Sequence, residues 1–224
     1  MYKAISFWIL SLLLLSWGCG QANRESEKQE TTNAPADSPA HNRKTIVFFG
    51  NSLTAGYGLK ITEAYPALIQ ARIDSLDLPY QVVNAGVSGE TTASGNSRID
   101  WILEKKLDVF FLELGGNDGL RGIPVAETEK NLQSIVDKVK ARYPDAKIVL
   151  AGMQVPPNMG ESYTKAFADI YPELAGRNKL YLVPFLLEKV GGERALNLAD
   201  GIHPTAEGHR IVADNVWSVL QGIL

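Results

Sequence analysis

From Lys44 onward, short apolar runs alternate with longer segments in which apolar residues recur every three or four positions. Thr45 to Phe49 is β-branched and aromatic and ends in Gly50, which predicts a first strand. Tyr65 to Leu76 places Leu68, Ile69, Ile73 and Leu76 at helical spacing, with Pro66 suited to a first turn. Tyr80 to Val83 predicts strand two, a helix runs through Ile99, Ile102 and Leu103, and Val109 to Leu114 predicts strand three. Pro124 to Tyr143 reads as a long amphipathic helix with Leu132, Ile135, Val136 and Val139 on one face. Ile148 to Ala151, a helix near Tyr163 to Leu174, Leu180 to Val183 and a last helix from Ala206 to Leu220 complete the pattern. Apolar strands that alternate with helices imply an α/β domain of three layers, a parallel sheet covered on both faces.

The first residues follow another pattern. Lys3 supplies a positive charge, Ile9 to Leu15 is an apolar run broken by Ser11, and small Gly18 precedes Cys19. These are the parts of a secretory signal, and the run is too short to span a membrane comfortably. From Gly20 to about Lys44 large apolar residues vanish and Glu, Lys, Gln, Asn, Ser, Thr and Pro dominate. Such a composition buries too little surface to offset the entropy of ordering, which predicts a disordered tether. The expected organisation is a signal over 1–18, a tether over 19–43 and one domain with a sizeable core over 44–224.

Charge and composition narrow the function. A formal net charge of -3 with no basic stripe argues against a nucleic-acid partner. Cys19 is the chain's single cysteine, so an internal disulfide is excluded. With two histidines and no cysteine in the domain, a metal cluster is not expected, and no nucleotide P-loop pattern occurs.

In parallel α/β sheets, sites form at the carboxyl ends of strands. Those ends lead into Gly50-Asn-Ser-Leu-Thr54, Asn84-Ala-Gly-Val-Ser-Gly-Glu-Thr91 and Gly115-Gly-Asn-Asp-Gly119, and after strand five comes Asp200-Gly-Ile-His-Pro204. With strand order 2-1-3-4-5 the first three are neighbours. Of three histidines, His41 lies in the tether and His209 inside the last helix, where a solvated or half-buried structural role is expected. His203 remains, three residues after an aspartate that can reach one imidazole nitrogen and leave the other facing a site. Alone, Ser52 reads more readily as a helix cap than as a nucleophile, and Asn117 as an ordinary turn residue.

Taken together these segments resemble the SGNH, or GDSL, hydrolase family from Thr45 to the end of the chain. Leu112-Glu-Leu-Gly-Gly-Asn-Asp-Gly-Leu-Arg-Gly122, Ile170-Tyr-Pro-Glu-Leu174 and Asp200-Gly-Ile-His-Pro204 look especially like its thioesterase I, arylesterase and lysophospholipase branch. The resemblance implies a flavodoxin-like sheet of five parallel strands in order 2-1-3-4-5. It implies Ser52 as nucleophile, His203 as base with Asp200 beside it, and Ser52, Gly89 and Asn117 as oxyanion donors. It also implies that the loop Met153 to Glu161 covers the acyl chain, with Val155, Pro156 and Met159 near an apolar groove. One position departs: the family usually has Asp before the nucleophile, and this chain has Asn51.

The N-terminal segment resembles a bacterial lipoprotein signal, with Ser16 where leucine is usual. That resemblance implies lipidation of Cys19 and an exported, membrane-anchored enzyme of the cell envelope. A plain signal peptide would instead give a soluble exported protein. The expected protein is a monomer without cofactor that cleaves small acyl esters. A carbohydrate O-acetylesterase is the nearest alternative. A flavodoxin-like module with Ser52 and Thr54 on the FMN phosphate, or an inactive surface-binding protein, are alternatives of another kind.

Overall fold

The structure, a computed structural model, describes residues 43–224. The proposed signal, Cys19 and nearly all of the tether lie outside the described residues. Five parallel strands form one sheet in the order β2-β1-β3-β4-β5. They are β1 (Lys44–Gly50), β2 (Tyr80–Gly86), β3 (Val109–Glu113), β4 (Lys147–Ala151) and β5 (Tyr181–Val183). The helices are α1 (Ser52–Ala55), α2 (Tyr65–Ser75), α3 (Thr92–Ile102), α4 (Gly116–Leu120), α5 (Val125–Arg142), α6 (Glu161–Asn178) and α7 (Ala206–Leu220). Helix α2 packs on α7, and α3 packs on α5, which also meets α6, so helices cover both faces of the sheet.

Strands β1 and β3 lie side by side at the centre, which is why both are apolar at every inner position. Phe48 is in register with Phe111, and their rings approach to 4.8 Å with Tyr65 of α2 beside them. Phe49 and Phe110 meet at 5.5 Å on the opposite face. All four phenylalanines are fully buried and form the middle of the core.

The elements differ from the sequence pattern in four places. Strand β2 continues through Asn84, Ala85 and Gly86, which pair with Phe48, Phe49 and Gly50 of β1. Helix α6 runs to Asn178 through Pro172, although a proline has no N–H to donate to the preceding turn. The short helices α1 and α4 replace two expected loops; four and five residues carry no readable period. His209 is neither solvated nor half-buried. It is 1% exposed, its Nδ1 accepts the backbone N–H of Tyr65 at 3.0 Å, and burial pushes its imidazole down to about 4.

Candidate active site

At the end of β1 the chain turns at once into α1. Asn51 caps this helix: its Oδ1 accepts the backbone N–H of Leu53 at 2.9 Å. Ser52 is thereby the first helical residue and stays buried at 7% exposure. Beneath the turn lies Glu113, the last residue of β3, with no exposed surface. Its Oε2 accepts the backbone N–H of Asn51 at 3.0 Å and the hydroxyl of Thr54 at 2.8 Å. Its Oε1 accepts Nδ2 of Asn51 at 2.6 Å. Burial pushes the Glu113 carboxyl up to about 8, although these donors pull it down. Gly50 makes room for the arrangement, because a Cβ there would come within 2.5 Å of Glu113 Oε2.

The loop before α7 supplies the other two polar groups of the site. Asp200 Oδ1 accepts the backbone N–H groups of Ile202 at 2.9 Å and His203 at 3.0 Å, which closes the turn and fixes the carboxylate. Its Oδ2 lies 2.8 Å from His203 Nδ1. The backbone donors, and after them the imidazole, hold the Asp200 carboxyl down to about 2. His203 Nε2 lies 2.9 Å from Ser52 Oγ. A neutral imidazole that donates from Nδ1 to Asp200 leaves the Nε2 lone pair for the serine hydroxyl. The alternative acceptor for that hydroxyl, Asn51 Oδ1, is 3.5 Å away and therefore weak.

The loop after β2 is fastened from two sides. Arg98 of α3 forms a two-pronged ion pair with Glu90, donates to the carbonyl of Ala85 at 2.7 Å and lies 4.0 Å over the ring of Phe49. From α4, Asn117 Nδ2 donates to the Glu90 carbonyl at 3.0 Å and Arg121 donates to the Gly89 carbonyl at 3.1 Å. Asp118 accepts the backbone N–H of Thr92 at 2.9 Å and also its hydroxyl. Gly89 has φ +80°, and nothing lies within 4 Å of where its Cβ would be. Glycine is needed there for its backbone conformation, whereas crowding plays no part.

A cleft of about 430 Å³ opens above these groups, and Ser52, Asn117 and His203 all border it. Its remaining wall is mainly apolar, with Leu120, Met153, Val155, Pro156, Phe185 and Leu187, and no lining residue carries a carboxylate, ammonium or guanidinium group. Of the three residues expected at a groove, Val155 and Pro156 are there. Met159 is not; its half-buried side chain packs against the core instead. Gly89 likewise does not line the cleft. Phe185 and Leu187 follow the end of β5 and were missed in the sequence, although the strand-end rule applied to β5 points to them. Among the described residues no group of three or more His, Cys, Asp or Glu side chains is placed to hold a metal ion.

Comparisons with known proteins agree with this fold. The chain is 41% identical over 182 residues to the esterase TesA of Pseudomonas aeruginosa, covering 81% of this chain and 90% of that protein. It is 37% identical over 181 residues to thioesterase 1/protease 1/lysophospholipase L1 of Escherichia coli strain K12, covering 80% and 85%. A crystal structure of TesA superimposes with a TM-score of 0.77 at 41% identity, covering 81% of this chain and all of that one. Residues 48–211, which span the three loops after β1, β2 and β3 and the Asp200–His203 turn, match the model of one family, and the chain belongs to it: the GDSL-like lipase/acylhydrolase family.

Proposed function

We propose that the protein hydrolyses carboxylic esters through an acyl-enzyme on Ser52, with His203 as general base and acid and Asp200 as its orienting carboxylate. The observation that carries this reading is the unbroken relay from Asp200 Oδ2 to His203 Nδ1 at 2.8 Å and from His203 Nε2 to Ser52 Oγ at 2.9 Å. A serine hydroxyl attacks poorly unless a base within hydrogen-bond reach removes its proton. His203 takes that proton as Oγ adds to the acyl carbonyl, and Asp200 stabilises the imidazolium. The imidazolium then protonates the leaving alcohol or thiol. Water repeats the cycle on the acyl-enzyme and frees the acid.

The oxyanion of each tetrahedral intermediate is received by the backbone N–H of Ser52 and Gly89 and by Nδ2 of Asn117. One Nδ2 hydrogen is engaged by Glu90; an amide nitrogen carries two, and the second is free for the substrate. For Gly89, support comes from its place in the fastened loop and its left-handed backbone. The uncharged apolar wall favours a hydrocarbon acyl chain over a sugar. The names of the two relatives, an esterase and a thioesterase/lysophospholipase, point the same way.

The deciding experiment is hydrolysis of p-nitrophenyl esters from acetyl to dodecanoyl by the protein and its Ser52→Ala variant. Loss of turnover in the variant, with an optimum beyond acetyl, is expected. Turnover that survives Ser52→Ala overturns the nucleophile, and an acetyl optimum overturns the acyl-chain reading. Lipidation of Cys19, with membrane anchoring of an exported enzyme, is a separate part of the proposal that rests on sequence. Incorporation of labelled palmitate that persists in Cys19→Ala would sink it.

A further inference from the structure

The imidazole of His203 is engaged on three sides, and one of them has no part in the relay. Its two nitrogens are held at their edges by Asp200 and Ser52. Against its face lies the ring of Tyr57, with centroids 4.5 Å apart and planes tilted by 39°. The tyrosine is 51% exposed, so burial in the core does not account for its place.

Its position follows from the end of α1. Gly56 closes that single turn in the left-handed conformation, at φ 77° and ψ 47°, where an L side chain is strained. A Cβ there would also come within 2.5 Å of Ala64 Cβ. The backbone N–H of Tyr57 then donates to the carbonyl of Ser52 at 3.0 Å. Five residues beyond the nucleophile, the chain is thus tied back to it, and the aromatic ring is delivered to the base.

We infer that Tyr57 is a positioning residue for the reaction: its ring face holds the His203 imidazole in line with Asp200 and Ser52 and favours the imidazolium that forms during both proton transfers. The inference rests on the catalytic reading of Ser52 and His203 given above. The electron-rich face of a phenol ring attracts a cation stacked on it, and this attraction grows as His203 gains its proton. The groups around His203 balance as follows. Asp200 is a carboxylate, Ser52 is neutral, and His209, on α7, is buried and held neutral near pH 7. His203 borders the cleft and Tyr57 does not, so the ring acts on the base and leaves the acyl chain alone.

The test is steady-state kinetics of the full chain with p-nitrophenyl butyrate, for Tyr57→Phe, Tyr57→Leu and Tyr57→Ala beside Ser52→Ala. Phenylalanine keeps the aromatic face and should leave kcat within about twofold. Leucine keeps bulk without the face and should lower kcat by on the order of three- to thirtyfold, with KM nearly unchanged. Alanine should lower it at least as far. Thermal midpoints report folding, and a half-exposed residue should move them little. Full kcat in Tyr57→Leu overturns the proposal, as does a loss carried wholly by KM, which would put the ring on the substrate. Should Ser52→Ala retain turnover, the catalytic reading itself fails, and that outcome is distinct from an inert Tyr57.

Discussion

Asn51 donates its side-chain amide to Glu113 Oε1 over 2.6 Å while its own backbone N–H reaches Oε2 of the same carboxylate over 3.0 Å. The residue before the candidate nucleophile is therefore held at two points by a buried acid on the neighbouring strand. The family usually places aspartate there. An aspartate in this setting would set two carboxylate oxygens against each other, and such a pair must hold a proton between them. Asn51 sets a donor against the acid in place of a second carboxylate and keeps the cap on Leu53.

The first prediction reverses the ordinary expectation for restoring a family residue. Asn51→Asp should hydrolyse p-nitrophenyl butyrate near neutral pH and lose activity on the alkaline side, where the shared proton leaves. On that limb the decline relative to the parent should approach about tenfold for each further pH unit, because the protonated fraction falls tenfold per unit above the pair's pKa. Profiles of kcat/KM from pH 6 to 10 check it. Superimposable curves would mean that no proton is shared.

Glu113 also sets an alkaline limit on stability. Its carboxyl, raised from 4.5 to about 8, binds a proton more tightly in the folded than in the unfolded chain. This contribution is fully present below the ordinary carboxylate value and is lost as pH rises through about 8. Glu113→Gln removes the titration but sets an amide NH2 against one of the two Asn51 donors, at a cost of about 1–3 kcal/mol. Denaturant midpoints should therefore be lower for Glu113→Gln at pH 6 and fall less steeply toward pH 9. Parallel slopes would show that Glu113 is not the group responsible.

His209 acts on the opposite side of neutrality. Its imidazole is lowered from 6.5 to about 4 by burial, and secondarily by the nearby His203, so the folded chain resists protonation there. Stability on this account is complete above pH 6.5 and is lost as pH falls toward 4. Asparagine can offer Oδ1 to the Tyr65 N–H in place of Nδ1 and does not titrate. Thermal scans should show a shallower acid decline for His209→Asn than for the parent. An unchanged acid slope would count against the assignment.

Asn117 should separate binding from chemistry. Replacement by alanine removes the amide proposed to meet the oxyanion and should lower kcat by about a hundred- to a thousandfold. KM for short esters should change little, because the ground-state carbonyl gains less from that donor than the tetrahedral intermediate does. A variant that loses KM instead would place Asn117 on the acyl chain. Its bond to the Glu90 carbonyl makes a second readout useful: Asn117→Asp keeps the size, loses the donor, and should be no better than alanine.

The sheet was legible because its central strands are buried on both faces and so read as continuous apolar runs. Thr45 to Phe49 and Val109 to Leu114 needed no partner to be recognised. The end of β2 was hidden because Asn84, Ala85 and Gly86 have no strand character of their own and are extended only by pairing with β1. Ser52, Asp200 and His203 could be singled out since they lie at strand and loop ends in a recognisable order. Glu113 could not be given a role from sequence. A lone glutamate in an apolar strand is a signal, but its partners Asn51 and Thr54 lie 62 and 59 residues away. Phe185 and Met159 mark the same limit from the other direction. Which apolar loop side chain faces a cleft and which faces the core depends on the path of the loop, and composition does not encode it.

The parallel sheet has one more consequence. Because every strand runs the same way, Lys44 enters at one pole while Ser52, Asp200 and His203 gather at the other, and the seven residues of β1 alone separate them by about 20 Å. A domain coupled to a bead or a sensor chip through the residues ahead of Lys44 would present its mouth to the solution.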